Sequence, residues 1–247
     1  NAGTADTTSY TLDTTAPTIT FASVDISADT GTSSSDFNTK TAAQTLTGTL
    51  SAAMAADDIL KVSVNAGSSY SDVTSDVTGN PDTALSTSIT LSGSSAIHLQ
   101  ITDDAGNAGT ADTTSYTLDT TAPTLSSITI VSDNSDTAQA KSGDRITLTI
   151  TSSENLQSAP PCTILTEAGS TTGSGSSFTC YLVLSGNEAE GTAAFSVTAG
   201  YLDTAGNSGS VDTTADVGSV NVDLTAPTIS FSSVAISADT GTSSSDF

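Results

Sequence analysis

Basic residues are nearly missing from this chain: 247 residues carry 4 Lys+Arg against 27 Asp+Glu, a formal net charge of -23. Nucleic-acid binding is thereby excluded, because phosphate contacts need Lys and Arg. Unassisted binding to an anionic membrane surface fails for the same reason. There is no Trp and aromatics make up 4%, so any core is built from Val, Ile, Leu and Ala. No apolar run is long enough to span a bilayer, and no signal peptide is visible. The chain has one histidine, His98, and two cysteines. It has no Gly-x-Ser-x-Gly elbow and no second His to complete a nucleophilic triad. Two cysteines without His partners at ligand spacing exclude a zinc site. No Asn-x-Ser/Thr sequon occurs, so N-glycans are not expected. An enzyme is not expected from this inventory.

What the chain has in excess is Ser and Thr, 89 residues of 247. Both are poor in helix interiors, and Thr favours strands. Acid without base has two readings: solubility through mutual repulsion, or a supply of hard oxygen ligands for Ca²⁺. Charged residues are only 13% of the chain, and apolar alternation recurs throughout, which separates it from a disordered acidic tail.

The chain also repeats itself. NAGTADTTSYTLDTTAPT occurs unchanged at Asn1–Thr18 and at Asn107–Thr124. Ile229–Phe247 repeats Ile19–Phe37 with three changes. Together the offsets give a module of about 105 residues, within the usual size of an independently folding domain. The expected division is the end of a preceding module (1–16), a module of type A (17–122), a module of type B (123–226) and the start of another type A module (227–247). On this reading the chain is a fragment of a longer one. The exactly repeated block straddles a joint, since DTTAPT (Asp13–Thr18 and Asp119–Thr124) and DLTAPT (Asp223–Thr228) mark the module boundaries. Each Pro ends a strand and stiffens a short linker.

Strand signals recur every 8–12 residues between Gly, Asp, Asn and Ser turns, the pattern of an all-β sandwich. Strands are expected near 18–26, 44–50, 59–64, 88–91, 97–102 and 113–118 in module A. In module B they are expected near 125–131, 145–152, 162–166, 177–184, 193–199 and 219–222. Segments such as Ile97–Thr102 (IHLQIT) and Arg145–Thr151 (RITLTIT) alternate apolar and polar residues. The fold class expected is tandem immunoglobulin-like antiparallel β-sandwich modules in a linear rod.

In module A the order SADTGTSSSDFNT, LTGTLSAAMAADDILKVSVNAGSSYSDVT, LQITDDAGNAGT and LDTTAPT resembles the bacterial Ig-like (BIg-type) tandem repeats of giant extracellular adhesins. Module B, with TSSENL, GSGSSFTCYLVL, GTAAFSVTAGYLDTAGNSG and DLTAPT, resembles a sister type. The resemblance covers the whole chain. It implies an extracellular, cell-surface setting, a stalk-like role, and Ca²⁺ at the module joints.

The acids gather in three loop types: the loop after the first strand (Asp29, Asp36), the DxAGN turn (Asp103, Asp104, Asn107; Asp203, Asn207) and the linker (Asp13, Asp119, Asp223). In an Ig-like sandwich these three meet at each joint, where six to eight oxygens are what Ca²⁺ requires. At the central joint the expected ligands are Asp29, Asp36, Asp119, Asp203 and Asn207, with Glu154 from a neighbouring loop. At the first they are Asp13, Asp103, Asp104 and Asn107, joined by Asp57 or Asp58. The alternative is that these Asp and Asn residues only shape turns. Asp239 and Asp246 repeat Asp29 and Asp36. Cys162 and Cys180 lie on two successive expected strands, and an even count in a secreted setting favours a disulfide between them. Partners are then the neighbouring modules of the same chain. The leading reading is a calcium-stiffened extender of an adhesin. The alternatives are a building block of a self-associating extracellular filament or sheath and, ranked low, a carbohydrate-binding module.

Overall fold

The computed structural model describes residue 4, residue 6 and residues 8–232. Two separate hydrophobic cores organise them, one built from residues between Ile26 and Tyr116 and the other from residues between Ile128 and Val222.

The first core lies between two sheets. Its strands are β1 (Phe21–Ile26), β2 (Asn38–Thr39), β3 (Ala43–Leu50), β4 (Ile59–Ser63), β5 (Ser71–Asp72), β6 (Val77–Gly79), β7 (Asp82–Thr90), β8 (Ser95–Thr102) and β9 (Asp112–Leu118). One sheet has the order β1-β3-β7-β6 and the other β2-β9-β8-β4-β5. This is the two-sheet arrangement of an immunoglobulin-like sandwich. Alternation sets the inward face: Leu46, Leu50, Leu85 and Ile89 from one sheet meet Leu60, Ile97, Leu99 and Ile101 from the other. The Tyr116 hydroxyl donates to Val64 O at 2.7 Å and pins β9 to the end of β4.

The second module contains β10 (Leu125–Ser132), β11 (Gln139–Ala140), β12 (Arg145–Leu156), β13 (Cys162–Ile164), β14 (Glu167–Ala168), β15 (Ser170–Val183), β16 (Gly191–Thr192), β17 (Phe195–Val197) and β18 (Asn221–Val222). Three small sheets result, β10-β12-β15, β14-β13-β17 and β11-β18-β16. Phe178, Ile128, Ile146, Leu148, Ile150 and Ile164 are fully buried between them. Among the described residues the only helical element is a single 3-10 turn, Thr74–Asp76, and no helix is long and apolar enough to cross a membrane.

Four features depart from the expected strand pattern. β7 begins at Asp82, six residues before the expected start, because its inward face is Leu85, Thr87, Ile89 and the buried Thr87 hides the alternation. β15 begins at Ser170 although Ser170–Ser177 contains no apolar residue; backbone pairing to β12 carries it, as in Leu156↔Gly175. In each module a two-residue strand runs parallel to the last long strand or its counterpart. Asn38↔Thr117 and Thr39↔Leu118 pair in the first module, Gln139↔Asn221 and Ala140↔Val222 in the second.

The fourth concerns the cysteines. Cys162 and Cys180 form a disulfide with a Cα–Cα distance of 6.5 Å. Their strands are not adjacent in one sheet, as successive cross-strand partners would be. Cys162 is on β13 and Cys180 on β15, which belong to different sheets. The bridge therefore crosses the core, and both cysteines are buried in it.

Candidate metal centre at the module joint

The three linkers are built alike. Asp13, Asp119 and Asp223 each accept a hydrogen bond through Oδ1 from the amide two residues on, of Thr15, Thr121 and Thr225, at 2.9, 2.9 and 3.0 Å. Such Asx turns fix the chain at the start of the Thr-Ala-Pro segment. The Asp119 amide donates to Thr39 O and the Asp223 amide to Ala140 O, so each outgoing linker is tied to the residue that ends the short parallel strand.

The DxAGN turns are also a shared device. Asp103 Oδ1 accepts from the Asn107 amide at 2.7 Å and its Oδ2 from Asn107 Nδ2 at 2.9 Å. Asp203 repeats this with Asn207, at 2.8 and 2.8 Å, and also takes the Ala205 amide at 2.9 Å. Each Asn then reaches the linker: Asn107 Nδ2 donates to Asp13 O at 3.1 Å, and Asn207 Nδ2 to Asp119 O at 2.8 Å. These bonds hold the Asp103 carboxyl below its usual range, the Asn107 side chain contributing most. Asp203 is fully buried.

At the central joint, one carboxylate oxygen each from Asp119, Glu154 and Asp203 lies within 4.8 Å of the others. Asp119 comes from the linker, Asp203 from the turn, and Glu154 from the irregular part of β12 where its register with β15 shifts. Burial pushes the Glu154 carboxyl up, and the charges of Asp119 and Asp203 push it further. Among the described residues no lysine or arginine pairs with this group. Lys40, the basic residue at this joint, gives its Nζ to Gly206 O at 2.6 Å instead.

Around the trio the loop between β1 and β3 closes the joint. Thr204, Ala205 and Gly206 present three successive carbonyls, and each receives a side chain from the first module. Asn38 Nδ2 donates to Thr204 O at 3.0 Å, Thr30 Oγ1 to Ala205 O at 2.6 Å and Lys40 Nζ to Gly206 O. The approach is close enough to require glycine on both sides. A Cβ on Gly31 would stand 2.8 Å from Asn38 O and 2.9 Å from Thr204 O; one on Gly206 would stand 2.5 Å from Thr30 O. Asp29 Oδ1 and Asn38 Oδ1, on the same loop, are buried without hydrogen-bond partners.

The expected ligands thus divide. Asp119, Glu154 and Asp203 come together. Asn207 stands beside them through its bonds to Asp203 and Asp119. Asp29 and Asp36 lie outside the trio and shape the loop: Asp29 Oδ2 accepts from the Phe37 amide, and Asp36 Oδ1 from the Asn38 amide. At the first joint Asp13, Asp57, Asp58, Asp103 and Asp104 line one open cavity of about 450 Å³. Ser51 and Ser153 both accept from the start of their first strand, from Thr20 N and Thr124 N. Ala52 therefore stands at the first joint where Glu154 stands at the second. Asp223 keeps its Asx turn. Asp239 and Asp246 lie outside the described residues. The cross-joint donors Thr30, Asn38 and Lys40 were not among the expected site residues, because nothing in a linear sequence singles out a donor to a backbone carbonyl 166 or more positions away.

The donor set suits a hard divalent cation: three carboxylates, one fully buried, with carbonyl and amide oxygens close by and, among the described residues, no ion pair to any of the three. His98 is remote from this chemistry. It lies on β8 opposite Ser63, with Nδ1 3.4 Å from the Tyr70 hydroxyl.

No family model matches the chain, and no curated protein matches it. Among solved structures it is similar to the fibronectin(III)-like modules of CbhA from Clostridium thermocellum, at 12% identity and a TM-score of 0.33. That match covers 83% of this chain and 93% of the other. It is also similar to the D00–D0 domain of intimin, at 12% identity and a TM-score of 0.28, covering 81% and 96%. The assignment itself rests on the strand order and the two cores, and on these grounds the described residues have an all-β, immunoglobulin-like β-sandwich fold.

Proposed function

We propose that this chain is an extender segment of an extracellular, cell-surface stalk of the kind found in bacterial Ig-like adhesin repeats. Its task is to hold successive sandwiches at a fixed angle, and Ca²⁺ at the joints completes that rigidity. The observation that carries the reading is the meeting of Asp119, Glu154 and Asp203 from linker, strand and turn at one joint. Without an ion these carboxylates repel one another, and Glu154 is held in a partly buried, anion-rich position that disfavours its charged form. A divalent ion bound there reverses the repulsion and ties the linker to the incoming module. The disulfide supports an oxidising compartment, since structural disulfides persist outside the reducing cytosol. The repeated sequence block that spans the linker supports a chain in which joint geometry is kept while the modules vary.

Isothermal titration of the chain with CaCl₂ tests the ion, and small-angle X-ray scattering with and without chelator tests its mechanical effect. Binding that is abolished in the Asp119→Asn/Glu154→Gln variant, together with a larger spread of inter-module distances in chelator, is the expected result. Equal titration heats in parent and variant sink the assignment of the site. An unchanged scattering profile sinks the stiffening role.

A further inference from the structure

The second module ends in an open cavity of about 530 Å³, lined on one side by Gln139, Ala140 and Lys141 and on the other by Asp223–Pro227. Position by position, this is the surface that the first module uses at the central joint. Gln139 and Ala140 pair in parallel with β18 as Asn38 and Thr39 pair with β9. The Asp223 amide donates to Ala140 O as the Asp119 amide donates to Thr39 O. Lys141 therefore corresponds to Lys40, and Gln139 to Asn38. At the central joint that surface is filled by the carbonyls of Thr204, Ala205 and Gly206.

We infer that the cavity at the end of the second module is a docking site for the Asp-x-Ala-Gly-Asn turn of the module that follows, with Lys141 as the cap of its glycine carbonyl. The inference rests on reading the chain as joined modules and does not depend on the ion. The occupant is identified by sequence: Ile229–Phe247 repeats the opening of the first module, and that module type carries the turn Asp103–Asn107 before its last long strand. Two donors of the chain are available for it. Lys141 has a side chain 69% exposed and, among the described residues, reaches only Asp144 Oδ1, at 3.4 Å. Gln139 accepts from Asn221 Nδ2 through its Oε1, a bond that does not use the donors of its own NH₂. The middle cap differs. Where Thr30 Oγ1 accepts from the Lys40 amide, Asp144 Oδ2 accepts from the Lys141 amide, and a carboxylate donates nothing to a carbonyl. This joint is thus held by two side-chain donors where the central joint has three.

Lysine reactivity reads the proposal directly, because the chain holds only Lys40, Lys61 and Lys141. The 247-residue chain and a lengthened chain, in which residues 38–122 are appended after Phe247 to complete the repeat, are acetylated with limiting amine-reactive reagent. Labelling of each lysine is followed by mass spectrometry. In the 247-residue chain Lys40 should label roughly tenfold more slowly than Lys141, the protection expected of a charge-assisted hydrogen bond. In the lengthened chain Lys141 should slow to the rate that Lys40 shows in the 247-residue chain, in chelator as well as in CaCl₂. A second lengthened chain carries residues 125–226 after Thr228, with Lys141→Arg in the appended copy so that one Lys141 is read, and the turn known from the central joint is offered to the same cavity. Lys141 protected in either chain supports the docking site. Lys141 equally reactive in all three chains, with the appended module showing its own unfolding transition, overturns it. Protection that vanishes only in chelator overturns it as well, since the ion and not the lysine then holds the joint.

Discussion

Replacing Lys40 with Met and Asn38 with Leu removes two of the three side chains that cap the turn of the second module, while keeping their length and most of their apolar stem. The Asn38 amide bond to Thr204 O is a neutral hydrogen bond at 3.0 Å, contributing about 1 kcal/mol net. The Lys40 bond to Gly206 O is charged and short; a bond of that kind is worth about 1.5–3 kcal/mol, taken at the lower end because Lys40 is an exposed residue. The loss of the Asn38 Oδ1 atom, buried without a partner, offsets a few tenths of this. The sum is about 2 kcal/mol, or roughly thirtyfold in the ratio of docked to undocked joints. Single-molecule energy transfer between dyes at exposed positions such as Asp82 and Ser174, measured in chelator, reads that ratio. A narrow distance distribution in the parent should broaden in the double variant, with a second, undocked population appearing. The melting of each module should stay where it was. If the distribution is as narrow in the variant as in the parent, the angle is set by the Pro-stiffened linker and the Asn207 bond, and the carbonyl caps are dispensable.

Other consequences follow from single features. The Cys162→Ala/Cys180→Ala variant should lose about 3 kcal/mol from the second module, from the closure entropy of a loop of 18 residues. Urea unfolding should show that loss in one transition and leave the cysteine-free first module unmoved; equal shifts in both would mean that the modules unfold as one unit. Glu188 is held down to about 2 by the Ser185 amide first, against the burial that opposes it, with help from the Ser185 hydroxyl and the Gly186 amide. Its folded value is depressed, so its contribution is present above about pH 4.5 and is lost as the pH falls toward 2. The stability gap between the parent and Glu188→Gln, from melts at stepped pH, should therefore close over that window, and a gap constant across it would refute the assignment. Tyr116→Phe removes the hydroxyl that reaches Val64 O and leaves that carbonyl to find water. A loss of about 1 kcal/mol in the first module is expected. A neutral result in chemical denaturation would show that the hydroxyl contributes no net stability there.

Alternation and turn chemistry carried most of the fold. Ile97, Leu99 and Ile101 point inward from a strand legible as IHLQIT, and the Asp-Thr-Thr-Ala-Pro linkers declare themselves by repetition. The sequence could also say that Asp119 and Asp203 belong to one joint, because an Ig-like order puts the linker and the last turn at the same end. Strands without an apolar face were beyond it: Ser170–Ser177 is a strand only because β12 lies beside it. So was the register that sets Cys162 and Cys180 across the core rather than along one sheet. Which acids stand together was decided by the fold alone. Asp29 and Asp36 are aspartates of the same joint as Asp119, yet each gives one oxygen to a loop amide, of Phe37 and Asn38, and neither joins the trio. The pairing of Lys40 with Gly206 is likewise tertiary. A lysine donates to whatever carbonyl the folded joint brings within 3 Å, and local sequence holds no record of a partner 166 residues away. Sequence determined the strand periodicity, the repeated linkers and the acidity; only the three-dimensional joint determined which of those charges meet.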